Sequence, residues 1–121
     1  MDIKVVNFKE KACKIKELHK YKIIAQMNNY HFKLVKTKRE FIWHQHPETD
    51  EVFIVIEGTL SIELREKTLV LHEGEMVAIP KGTEHKPICK EVVCCLLIEP
   101  AGTANTGNAG GVLTDTDVDW I

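Results

Sequence analysis

Trp43-His44-Gln45-His46-Pro47-Glu48-Thr49-Asp50-Glu51-Val52-Phe53-Ile54-Val55-Ile56 is the stretch on which the reading of this chain turns. Side chains two apart on a strand share a face. His44 and His46 therefore point the same way, with Cα atoms about 6.6 Å apart, a span that one metal ion bridges. Pro47 to Asp50 is turn chemistry. The chain re-enters a β-rich run at Glu51, where an antiparallel return brings a carboxylate back toward the two imidazoles. Aromatic and β-branched residues follow Glu51, and a carboxylate buried among them needs a cation.

A fourth donor lies downstream. Gly74, Pro80 and Gly82 mark two tight turns, and Pro80-Lys81-Gly82 sets a reversal just before His85 enters a strand. Three neutral imidazoles and one carboxylate suit Fe, Mn, Ni, Co, Cu or Zn as the divalent ion, and an octahedral ion keeps two positions for water or substrate.

The segments His44-x-His46-x4-Glu51-x6-Gly58 and Gly74-x5-Pro80-x-Gly82-x2-His85 resemble the two sequence motifs of the cupin family, in its order and spacing. With their flanking strands they cover roughly residues 30–99. The resemblance implies an all-β, double-stranded β-helix (a cupin or jelly-roll barrel), one divalent transition metal per chain on His44, His46, Glu51 and His85, and a homodimer. The family's leading glycine falls at Lys38 and its closing asparagine at Cys89. Neither position is a metal ligand, so these departures bear on substrate contacts.

Residues 1–121 read as a single cupin domain with an N-terminal arm 1–29, a barrel core 30–99 and a C-terminal tail 100–121. Residues 3–6 suit a short strand. Asn7-Phe8-Lys9-Glu10 opens a stretch in which Phe8, Ala12, Ile15 and Leu18 recur at helical spacing, giving a short helix near 8–18. Short β-rich runs follow at 21–27, 31–37, 40–46, 51–57, 59–65, 68–72, 75–79, 84–89 and 92–98, separated by turn residues. Strands without intervening helices form an antiparallel sandwich or barrel.

Val52 to Ile56 and Val92 to Ile98 are apolar on both faces, so each needs cover beyond the opposite sheet. Either a second subunit supplies it or the N-terminal helix and C-terminal tail do. After Pro100 a flexible Ala/Gly/Thr/Asn connector leads to Val112–Ile121, where Thr114 with Asp117 reads as a helix-start cap and Leu113, Trp120 and Ile121 dock the tail. Asp115, Asp117 and Asp119 mimic the opening of a calcium loop without its turn glycine or closing glutamate.

Strand parity predicts the wall of a substrate pocket. Ile42 shares the face of His44 and His46, Phe53 and Val55 that of Glu51, and Cys89 that of His85. Cys89 reads as a small core thiol or as a group near the metal, and Lys33 as a cation facing the cavity. Cys13, Cys89, Cys94 and Cys95 include no CxxC pair and read as reduced thiols.

The composition, 44% hydrophobic and 28% charged with net charge −2, is that of a globular chain. Residues 1–40 hold 11 Lys/Arg against 4 Asp/Glu, and residues 41–121 hold 5 against 14. The lysines of the first part are evenly spread without interleaved aromatics, so a solvated face is expected and no nucleic acid. No apolar run reaches the roughly 18 residues of a membrane span, and Met1-Asp2-Ile3-Lys4 opens no signal peptide, so no membrane is expected and the location reads as cytoplasmic.

The enzyme reading has a small organic substrate displace water from the metal, with dioxygenase, isomerase or lyase chemistry and Glu51 as a candidate base. The alternative is a non-catalytic small-ligand or metal-binding sensor. A purely structural metal fits less well, since structural sites tend to be closed and thiolate-rich.

Overall fold

The computed structural model describes residues 2–116 and 118–121. It contains one helix, α1 (Phe8–Lys14), and nine strands: β1 (Lys22–Met27), β2 (Tyr30–Thr37), β3 (Glu51–Glu57), β4 (Leu60–Glu63), β5 (Thr68–Leu71), β6 (Met76–Ile79), β7 (Lys86–Ile88), β8 (Val93–Pro100) and β9 (Asp119–Trp120). They form a six-stranded sheet in the order β6-β3-β8-β2-β1-β9 and a three-stranded sheet in the order β5-β4-β7. All pairs are antiparallel except β1 with β9. This is the double-stranded β-helix expected from the two motifs.

The doubly apolar strands β3 and β8 lie side by side in the larger sheet, with Phe53 opposite Leu97. Their inner residues Phe53, Val55, Val93, Cys95 and Leu97 meet Leu60, Ile62 and Leu71 of the smaller sheet in one core. Their outer residues Ile54, Ile56, Cys94 and Leu96 join a second cluster with Ala12 and Ile15 at the end of α1, with Ile24, and with Ile121. Helix and tail thus cover much of the face that the sequence left open.

Asn7 caps α1 through Oδ1, which accepts from the Glu10 N–H at 3.0 Å. The helix stops at Lys14 rather than continuing to residue 18, because Ile15 turns extended and is buried against the sheet. No strand forms at 3–6, where Ile3 and Val5 are almost fully exposed. The tail is extended where a helix start was expected. Thr114 bonds the Thr106 hydroxyl at 2.6 Å instead, and Asp117 lies outside the described residues. Ile121 docks, its N–H donating to the Ile23 carbonyl, but Trp120 is 56% exposed, its ring meeting His31 edge-on.

The expected strand 40–46 is an irregular segment held to the β7 region by two isolated bridges, Glu40 with Ile88 and His44 with His85. Phe41 N–H donates to the Pro87 carbonyl and His44 N–H to the His85 carbonyl. Three steps on one side therefore oppose two on the other. That is a bulge, and it reverses strand parity at its position.

Gly58, at the tip between β3 and β4, has φ +94, and a Cβ there would stand 2.9 Å from the Val92 carbonyl oxygen. Gly58→Ala is expected to destabilise the protein by on the order of 2 kcal/mol, from left-handed strain together with that clash. Urea unfolding with an unchanged midpoint would refute this account of the turn.

Candidate metal centre

The inner faces of β2, β3 and β8 carry an uninterrupted polar line. Glu51 and Glu99 each lie one inward position beyond the Phe53–Leu97 pair, and Lys33 stands opposite Leu97. Lys33 Nζ bonds Glu99 Oε1 at 3.0 Å and the Thr103 carbonyl at 3.1 Å. Both side chains are buried. Lys33 thus neutralises a buried acid behind the site and does not reach the cavity wall.

Around Glu51 the structure gathers His44, His46 and His85, with the four ligand atoms within 4.8 Å of one another and all four residues buried. His44 Nδ1 lies 2.9 Å from the Ile42 carbonyl, and His85 Nδ1 lies 2.9 Å from the Thr83 carbonyl. A carbonyl only accepts, so each Nδ1 carries the hydrogen and each Nε2 keeps a free lone pair. Nε2 of His46 and of His85 stand 3.2 and 3.3 Å from the Glu51 oxygens. Neither contact has hydrogen-bond geometry: both Nε2 atoms and Glu51 Oε1 are buried without a partner. Buried lone pairs converging without a hydrogen between them fit a divalent cation.

Burial lowers the His44 imidazole to about 4, outweighing the Ile42 carbonyl that favours its charged form, so near neutrality it is a neutral donor. Burial raises Glu51, but the polar groups of Glu99, His46 and His85 around it outweigh that, and its carboxyl lies below the usual range. Glu99 moves the other way, raised by burial and then by Glu51 beside it. Two touching carboxyls cannot both ionise cheaply. Of the two, Glu51, at the histidines, is the more readily charged.

A cavity opens beside the cluster, with about 470 Å³ of empty space that includes open solvent outside it. Phe53 and Cys89 lie on its wall as parity predicts. Ile42 does not. The bulge turns Phe41 inward in its place, with the Phe41 ring 5.3 Å from that of His44. Val55 is fully buried one layer deeper, in the core between the sheets. The Cys89 thiol donates to the Thr37 carbonyl at 3.4 Å, and burial raises it, so it packs and bonds rather than ligates.

Tyr21, Thr37, Arg39 and Asn105 also line the cavity, and parity around the motifs could not find them. Asn105 comes from the tail, where it bonds the Leu113 carbonyl and the Asp115 N–H. Gly107 and Asn108 close over the strand of histidines. The Gln45 N–H donates to Asn108 Oδ1, the Asn108 N–H donates to the Gln45 carbonyl, and a Cβ on Gly107 would collide with that same carbonyl oxygen. The fixed glycine and the turn composition of this connector were the only signals available.

Fold and site together define a class: a double-stranded β-helix whose barrel encloses three histidines and a glutamate. The cupin domain family matches residues 30–99, and the chain belongs to that family. A cupin-2 domain containing protein from Shewanella frigidimarina is 51% identical, with a TM-score of 0.78 over 79% of this chain and 94% of its own. NMB1881 from Neisseria meningitidis is 29% identical, with a TM-score of 0.73 over 81% of this chain and 100% of its own. The Bacillus subtilis (strain 168) protein YdbB is 39% identical over 84 residues, 69% of this chain and 74% of its own length.

The depressed His44 predicts a pH dependence for the metal-free protein. Its folded pKa of about 4 lies below the 6.5 of an ordinary histidine. Between the two the unfolded chain binds more protons, so stability is complete above about pH 6.5 and falls as the pH drops toward 4, by about 3 kcal/mol in all. Urea titrations of stripped wild type and His44→Gln across this range should differ in slope. Parallel curves would remove His44 as the cause.

Proposed function

We propose that this cupin holds one divalent transition metal on His44, His46, Glu51 and His85 and takes a small organic substrate in the adjoining cavity as an enzyme of dioxygenase, isomerase or lyase type. The observation that carries the proposal is the set of three unpartnered buried polar atoms, His46 Nε2, His85 Nε2 and Glu51 Oε1, inside a barrel that would otherwise not bury them. When bound, such an ion supplies Lewis acidity to a substrate oxygen or the means to activate dioxygen.

The chain's own groups set the conditions. The Ile42 and Thr83 carbonyls fix the His44 and His85 rings in the tautomer that donates through Nε2. Glu99 lies beside the Glu51 carboxylate, and Lys33 bonds Glu99 from behind. Phe41, Phe53, Leu60 and Leu97 exclude water from one side of the cavity, and Tyr21 closes part of another. Glu51 is the candidate base, since its position puts a carboxylate at both the cluster and the cavity wall.

Untagged protein reconstituted with Fe, Mn, Ni, Co, Cu or Zn salts is expected to retain close to one ion per chain, by elemental analysis. His85→Ala and Glu51→Gln are expected to weaken binding by about a hundredfold or more. Retention below about a tenth of an ion per chain sinks the proposal. Oxygen-uptake and product assays on the loaded protein separate turnover from the sensor reading.

The same reading makes the protein a cytoplasmic homodimer, supported by the exposed apolar side chains of Met27, Tyr30 and Trp120 near the β1–β2 turn and β9. Sedimentation at micromolar concentration is expected to give twice the chain mass. A monomer mass removes the dimer and leaves the metal site untouched.

A further inference from the structure

Among the described residues, Arg39 is the one Lys or Arg on the cavity wall, and no carboxylate pairs with it. Nearby acids are engaged elsewhere: Glu51 in the histidine cluster, Glu40 with Lys86, Glu99 with Lys33, and Glu84 with Arg65. Arg39 Nε is buried with no hydrogen-bond partner. Its guanidinium lies over the Phe41 ring, whose centroid is 4.8 Å from the guanidinium carbon. Leaving a charged donor out of water and unbonded is costly, and an arginine held this way at a cavity is poised for an anion from outside the chain.

The position of the guanidinium decides which anion. Phe41 is its neighbour on one side and stands 5.3 Å from the His44 ring on the other, so Arg39 and the imidazole are no further apart than the sum of those two distances. Phe41, Phe53, Leu60 and Leu97 add hydrocarbon to the wall of the same cavity. The charge of Arg39 is felt at Tyr21 and at Cys89, both of which also face the cavity. One cavity thus offers a planar, forked cation, an apolar surface, and His44 and Glu51 of the metal cluster.

We propose that the substrate is a short oxo- or hydroxycarboxylic acid whose carboxylate pairs with Arg39, whose apolar middle lies on Phe41 and Phe53, and whose second oxygen faces the metal cluster. A carboxylate matches the guanidinium fork in two parallel hydrogen bonds and gives Arg39 Nε–H the acceptor it lacks. Arg39 is then a specificity-determining residue, selecting acids over neutral carbonyl compounds of the same shape. The assignment rests on the metal-dependent reading for the far end of the ligand, but the Arg39 end stands without a metal.

The test measures binding to the full-length protein, zinc-loaded and metal-stripped, by calorimetry and ligand-observed NMR. The probes are 4-oxopentanoate and 6-hydroxyhexanoate, each beside its neutral primary amide. Wild type is expected to bind the acids about tenfold or more tightly than the amides in both forms, as a charge-assisted bidentate pair requires. Arg39→Met should erase that preference and Arg39→Lys should keep part of it. Arg65→Met, on the exposed surface, should keep it whole. Melting curves and zinc content show whether each variant is folded, and the lysine variant carries the test if the methionine variant is not. Equal binding of acid and amide by wild type, a preference that survives in Arg39→Met, or no acid binding up to about 10 mM would each overturn the assignment. Preference for a phosphate monoester over both acids would overturn the carboxylate as its partner. Loss of zinc binding with the acid preference intact in stripped protein would instead sink the metal reading and leave Arg39 standing.

Discussion

Buried lone pairs with nothing to bind set the terms for the rest of this molecule. The nitrogens of His46 and His85 and an oxygen of Glu51 face one another inside the barrel at distances too short for indifference and without a hydrogen to share. A barrel that excludes water from such a group is stable only if something else satisfies it. The surrounding architecture answers to that requirement. Carbonyls of Ile42 and Thr83 hold the rings, Glu99 and Lys33 hold the carboxylate, and the tail seals the strand that carries the histidines.

The line from Lys33 through Glu99 to Glu51 shows why the sheet order matters to the chemistry. β8 is the central strand that pairs with both β2 and β3, and its inner face is apolar except at Glu99. Removing one member of a buried charge pair strands the other, which typically costs several kcal/mol. The second layer of the site is therefore built into the strand that holds the sheet together, so the orientation of Glu51 and the integrity of the fold are hard to separate by mutation.

Much of this was legible in the chain. Alternation, turn residues and two spaced motifs were enough for a two-layer antiparallel barrel and for the convergence of His44, His46, Glu51 and His85, because period-2 geometry is reliable wherever a strand is regular. Parity failed at Ile42, where an extra residue opposite Pro87 turned Phe41 inward, and nothing in Phe41-Ile42-Trp43 announces a bulge. It misjudged Val55 too: parity says which face a residue takes but not how deep along the barrel it lies. Arg39, Tyr21 and Asn105 come to the cavity from an irregular segment, a strand start and the tail, and only tertiary structure brings those three together.

The closure of the tail over Gln45 has a consequence for how the site comes into being. Gln45 and Asn108 are 63 positions apart, and Lys33 and Glu99 are 66 apart. Contacts of that span must meet the entropy of closing a long loop before they return any stabilisation, so they form late and together. A folding chain would hold His44 and His46 as two loose imidazoles for most of its path and would present four converging donors only when the barrel shuts. Ion capture would then keep time with the last step of folding, making the loaded fraction a clock for the completion of the chain's own assembly.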